Sequence, residues 1–117
     1  MTADPYSERV RELFAKPRHA GILDGPSVYH EDQGIRLLLS ARVRRYRLES
    51  LRFQAYGCPH LIAAAEAFCA DYEGRPTDEL DGYSAIKTVD ELAVPAEKTG
   101  RILVLEDAVR SLGAKCR

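Results

Sequence analysis

The residues best suited to chemistry stand together in the segment Tyr56-Gly57-Cys58-Pro59-His60. Gly57 permits a tight exit from an extended segment, and Pro59 suits the first position of a helix, where its missing N–H is not needed. Cys58 is thereby predicted at a helix N-cap, where unpaired amide groups and the positive end of the helix dipole favour a thiolate over a thiol. A reactive sulfur or a metal ligand is one reading; a small inert residue at a strand-to-helix corner is the other, and the spacing alone leaves both open. His60, two residues on, is predicted in the exposed first turn, where one imidazole nitrogen can help hold a metal.

The remaining candidates are weaker. Cys69 lies eleven residues beyond Cys58, about 16 Å along a continuous helix, so the two cannot share one metal ion. It falls on an apolar stripe and reads as a core cysteine. Cys116, next to the last residue, reads as a solvent thiol on a frayed end. Three cysteines without a CxxC or CxxxC spacing argue against a disulfide framework and against a self-contained zinc knuckle. His30, Glu31 and Asp32 form an acidic stretch rich in ligand types, with a solvated loop as the plainer reading. Arg42, Arg44, Arg45, Arg47 and Arg52 crowd one hairpin. Only Tyr46 is interleaved as an aromatic, so a solvated face or a docking patch for an acidic protein is expected, and no nucleic acid.

The elements that must position these residues follow from periodicity. Residues 5–14 place Tyr6, Val10, Leu13 and Phe14 at helical spacing, and the helix ends near Lys16-Pro17. Ile35, Leu37, Leu39, Ala41 and Val43 alternate with Arg36, Leu38, Ser40, Arg42 and Arg44, and Leu51, Phe53 and Ala55 alternate with Arg52, Gln54 and Tyr56. Two half-buried strands so close in sequence make an antiparallel hairpin. A third strand is expected within residues 21–29, on the strength of Ile22 and Val28. After Tyr56 the period becomes helical through Leu61, Ile62, Ala65, Phe68, Cys69 and Tyr72, up to Gly74 and Pro76. Residues 77–80 and 88–92 read as short turns of helix capped by Thr77 and Thr88, and a last helix spans about residues 101–112. Helix, strands, then helices describe an α+β domain: a small antiparallel three-stranded sheet with helices on one face.

With 117 residues, 45 % hydrophobic and 30 % charged, the chain is expected to form one domain, residues 1–117, with a modest core. A net charge of −1 gives no reason to expect nucleic acid or a membrane surface. The first residues lack a basic and apolar leader pattern, and no long apolar stretch occurs, so a cytoplasmic location is expected.

Taken in order, Tyr6-Ser7-Glu8-Arg9-Val10, Lys16-Pro17-Arg18-His19-Ala20-Gly21, Leu51-Arg52-Phe53-Gln54-Ala55-Tyr56-Gly57-Cys58, Pro95-Ala96-Glu97-Lys98 and Leu105-Glu106-Asp107-Ala108-Val109 resemble the IscU/NifU-type iron-sulfur scaffold family over nearly the whole chain. That resemblance implies a non-enzymatic assembly protein which accepts sulfur from a cysteine desulfurase and holds iron, zinc or a [2Fe-2S] cluster with three cysteines, an Asp and a His. Cys58 matches the second family cysteine. The first falls on Asp32 and the assisting Asp on Gly34, whereas a two-residue shift makes Asp32 that Asp. The third cysteine falls on Arg101 and its neighbouring His on Gly100. Arg101 has no lone pair to offer a metal, so the resemblance leaves Cys58, with Asp32 and His60, as the site. It also raises two alternatives: an Asp32–Arg101 ion pair in the space of the cluster, and a cluster-free family member that acts as an interaction or regulatory protein of the assembly machinery. Of the family's chaperone-recognition run, only the first Pro and the Lys remain in Val94-Pro95-Ala96-Glu97-Lys98, which makes a dedicated Hsp70-type chaperone a doubtful partner.

Overall fold

A computed structural model describes residues 6–32 and 34–116 of the chain. Its elements run α1 (Glu8–Ala15), β1 (Ser27–Asp32), β2 (Ile35–Arg44), β3 (Arg47–Tyr56), α2 (Pro59–Tyr72), α3 (Ala85–Leu92) and α4 (Thr99–Lys115), with 3-10 turns at Thr77–Gly82 and Ala96–Lys98. The α+β class and the order helix, strands, helices are as the sequence indicates.

The sheet is antiparallel in the order β1-β2-β3. Its register sets Val28 opposite Leu39 and Leu39 opposite Phe53, one apolar row across three strands. With Ile35, Leu37, Ala41 and Leu51, these side chains form the buried face. α2 packs on β3, and α4 on β1 and β2, while α1 lies on α2. Leu61, Ala64, Ala65 and Phe68 of α2 and Ile102, Leu105, Ala108, Val109 and Leu112 of α4 complete the core. Each fully buried Leu, Ile or Phe contributes about 1.5–3 kcal/mol relative to an exposed one, which is what holds short helices that could not stand alone.

The outer edge of β3 is not left open. Gly21 donates its N–H to the Phe53 carbonyl at 2.8 Å, and Phe53 donates to the His19 carbonyl at 2.9 Å. Farther along, Leu48 donates to the Arg75 carbonyl at 2.8 Å and Gly74 to the Leu48 carbonyl at 2.6 Å. Covering an edge in this way removes a template for unwanted strand pairing.

Several boundaries differ from the sequence reading. α1 begins at Glu8, because Ser7 caps it by accepting the Val10 N–H at 3.2 Å; Pro5 lies outside the described residues. The third strand is Ser27–Asp32 rather than residues 21–29, so His30, Glu31 and Asp32 belong to an edge strand and not to a loop. The reason is pairing: Ala41 donates to the Pro26 carbonyl, and the ladder with β2 then runs on to Asp32 opposite Ile35. Thr77 and Thr88 cap nothing. The turn of 3-10 helix follows Pro76, α3 follows Ser84, and Thr88 is instead buried with its hydroxyl 2.8 Å from that of Tyr83. α4 extends to Lys115, so Cys116 sits at its C-cap, half-buried against the core, rather than on a frayed end.

Candidate functional site

Two corners meet at one end of the sheet, the β1–β2 turn and the β3–α2 junction. Gly57 leaves β3 with φ +101°, a backbone region that glycine adopts without strain. A Cβ there would lie 2.6 Å from the Gly34 carbonyl oxygen and 3.2 Å from the Ile35 Cα. Only glycine therefore lets the β3–α2 corner close onto the β1–β2 turn. Cys58 follows as the N-cap of α2, with extended φ −156° and ψ 121°, Pro59 at the first helical position, and its carbonyl accepting the Ile62 N–H at 3.1 Å. This is the N-cap geometry expected from the sequence. No side-chain bond caps α2, so the first-turn amide groups remain turned toward this corner.

The thiol itself lies deep. Cys58 is only 2 % exposed and joins the hydrophobic core, so it is not presented to solvent. His60 is corrected: it too is 2 % exposed rather than lying in an open first turn. The ring of Tyr6, just before α1, covers it with centroids 4.9 Å apart at 48°. Neither imidazole nitrogen has a hydrogen-bond partner among the described residues, a cost of about 1–3 kcal/mol per unsatisfied group. Burial, reinforced by the positive charges of Lys98 and Arg101 against a smaller opposing effect of Glu97, pushes the His60 pKa below its ordinary value. His60 is thus a neutral ring at neutral pH, with cations beside it.

These residues do not add up to a ligand set. Asp32 is exposed at the end of β1. Among the described residues, no three His, Cys, Asp or Glu side chains are grouped to hold a metal ion. The expected Asp32–Arg101 ion pair is not among the salt bridges of the described residues either. Arg101 acts instead on His60. The donor set of Cys58, His60 and Asp32 therefore does not fit a cluster: it holds one cysteine sulfur, that sulfur is buried, and soft iron-sulfur chemistry calls for several.

A second polar cluster went unnoticed in the sequence. Glu66 of α2 is 4 % exposed. It accepts the His19 N–H at 2.7 Å and is bonded to the His19 ring through Nδ1. The other ring nitrogen lies 3.4 Å from Glu73, which also accepts from the Leu51 N–H at 2.9 Å and from Arg52 at 3.0 Å. Burial works to raise the Glu73 pKa, but the Leu51 N–H, His19 and Arg52 together hold it below the usual value. The cluster ties the segment after α1 to α2 and β3. Its one sequence signal is an acid at position 66 on the apolar stripe, four residues after Ile62 and three before Cys69. Cys69 is a buried core cysteine as expected, its thiol pKa pushed well up, chiefly by burial and then by Glu66 and Glu73.

A three-stranded sheet under helices in this order has counterparts among solved structures. A NifU-like N-terminal protein from Brucella abortus superposes with TM-score 0.65 at 14 % identity, over 93 % of this chain and 94 % of that one. A crystal structure titled as a putative iron-sulfur cluster assembly scaffold protein for the SUF system of Fervidobacterium islandicum gives 0.66 at 12 % identity, over 97 % of each chain. The chain belongs to the family described as NifU-like N terminal domain, whose model matches residues 5–113. Among curated relatives, the iron-sulfur cluster assembly scaffold protein IscU of Azotobacter vinelandii is 26 % identical over 114 residues, covering 91 % of this chain and 89 % of the relative. IscU of Escherichia coli strain K12 matches to the same extent. No helix of the described residues is long and apolar enough to cross a membrane.

Proposed function

We propose that this chain serves iron-sulfur cluster assembly as a scaffold-family protein that does not hold a cluster by itself. It acts as an interaction or regulatory protein of the machinery in the cytoplasm, docking on a cysteine desulfurase or on another scaffold, and is not an enzyme. The observation that carries this reading is the end of the sheet where Cys58 is the one cysteine, 2 % exposed, while Lys98 and Arg101 bring positive charge to the neighbouring His60. A corner with a single buried cysteine, and with Lys98 and Arg101 beside its histidine, offers a metal cation few soft donors.

The N-cap geometry of Cys58 favours a second reading, in which the chain receives sulfur. The Cys58 thiolate would attack the terminal sulfur of a desulfurase persulfide, forming one S–S bond as the donor S–S bond breaks and the donor cysteine leaves as thiolate. The amide groups at the start of α2 would favour the resulting anion. This requires the corner to open.

Anaerobic incubation with iron and sulfide, followed by assay of bound metal, acid-labile sulfide and visible absorbance, separates these outcomes. The first reading expects a colourless, metal-free protein that still binds desulfurase; a stably held cluster on the monomer refutes it. A mass increase of one sulfur on Cys58, absent in Cys58→Ser, would establish the second.

A further inference from the structure

The arginine-rich hairpin lies at the end of the sheet opposite Cys58, since the ten residues of β3 separate Arg47 from Tyr56 by roughly 30 Å. Its turn is built at a cost. Arg45 and Tyr46 have φ +53° and +64°, as a type I′ turn requires at both central positions, where Asn-Gly would sit without strain. A non-glycine residue in the left-handed region costs about 1 kcal/mol or more. Neither side chain repays this by packing, for Arg45 is exposed and Tyr46 is 81 % exposed.

The charges at the tip are equally unsupported. Arg44 stands directly opposite Arg47 in the ladder, and like charges so placed repel. Arg47 donates to the Gly74 carbonyl at 3.2 Å. Among the described residues, the side chains of Arg42, Arg44 and Arg45 have no ion-pair or hydrogen-bond partner. Beside them runs an open groove of about 580 Å³ lined by Arg44, Arg45, Arg47, Leu48, Glu49 and Gly74.

We propose that this tip is a docking surface for an acidic, extended segment of a partner protein, its carboxylates gripped by the unpaired guanidinium groups of Arg44 and Arg45. Arginine presents a planar fork that binds carboxylates in pairs of hydrogen bonds, which a lysine patch would not. A nucleic acid fits less well: Tyr46 is the one ring at the tip available for stacking, and the chain as a whole carries −1, so a polyanion that runs on past the tip is repelled there. Because this end is remote from Cys58, a partner held here leaves the Cys58 end free. The proposal stands independently of the function given above.

The test uses the full chain, a fluorescent glutamate-rich peptide and an oligouridylate of matched charge, read by anisotropy at low and at raised salt. The peptide should bind at low salt, weaken with salt, and lose about tenfold or more in affinity in R44E/R45E. Replacing the strained pair in R45N/Y46G should weaken the peptide while raising the melting temperature, a combination that misfolding cannot imitate. Failure of the peptide to bind, equal binding by R45N/Y46G, or tighter binding of the oligouridylate would each overturn the proposal.

Discussion

Replacing His19 by alanine examines the buried cluster directly. In the wild type, the Glu66 carboxylate, 4 % exposed, is bonded by the His19 N–H and by the His19 ring. The substitution keeps the first bond and removes the second, together with the ring nitrogen facing Glu73 at 3.4 Å. A hydrogen bond to a charged group contributes about 1.5–3 kcal/mol, and stripping the partner from a buried charge costs about 3–5 kcal/mol. The surviving N–H bond places the expected loss near the junction of these ranges, about 3 kcal/mol. In urea, with a slope of about 1.5 kcal/mol per molar for a chain of this size, the midpoint should fall by about 2 M. Adding Glu66→Leu to His19→Ala removes the orphaned carboxylate and should restore more than half of the loss, a coupling that a double-mutant cycle reads out. A loss below about 0.5 kcal/mol would refute the argument, because that is the value of a solvent-screened surface pair.

Three further outcomes are expected. Gly57→Ala should cost at least about 2 kcal/mol in thermal unfolding, since the new Cβ combines a φ of +101° with a 2.6 Å approach to a backbone oxygen. For His60, a base whose folded pKa lies below its unfolded value of about 6.5, the folded state binds fewer protons than the unfolded one, so stability is lost as pH falls from there through the folded value. Titrated urea midpoints should show His60→Leu removing that part of the acid sensitivity; an unchanged slope would contradict it. Thiol labelling followed by mass spectrometry should modify the half-buried Cys116 first, with buried Cys58 and Cys69 reacting only on opening of the fold.

The parts of this molecule that were legible in its sequence are those decided by neighbours along the chain. Period-two alternation in β2 and β3 announced the hairpin, and Gly57 with Pro59 announced the strand-to-helix corner and the N-cap at Cys58. What stayed hidden is decided at long range. β1 carries His30, Glu31 and Asp32, poor strand formers that become a strand because an edge on β2 was free to receive them. His60 was placed in solvent because nothing local reveals that Tyr6 would close over it. The His19–Glu66 bond joins residues 47 positions apart, and neither side chain has a local reason to announce the other. Cys58 shows the same division: its backbone conformation was readable and its depth was not.

The near-contact between the Gly57 corner and the Gly34 carbonyl also carries a mechanical consequence. No methyl group fits between the backbone that leads into Cys58 and the backbone at Gly34 and Ile35, so the closeness of these two segments depends on a missing side chain.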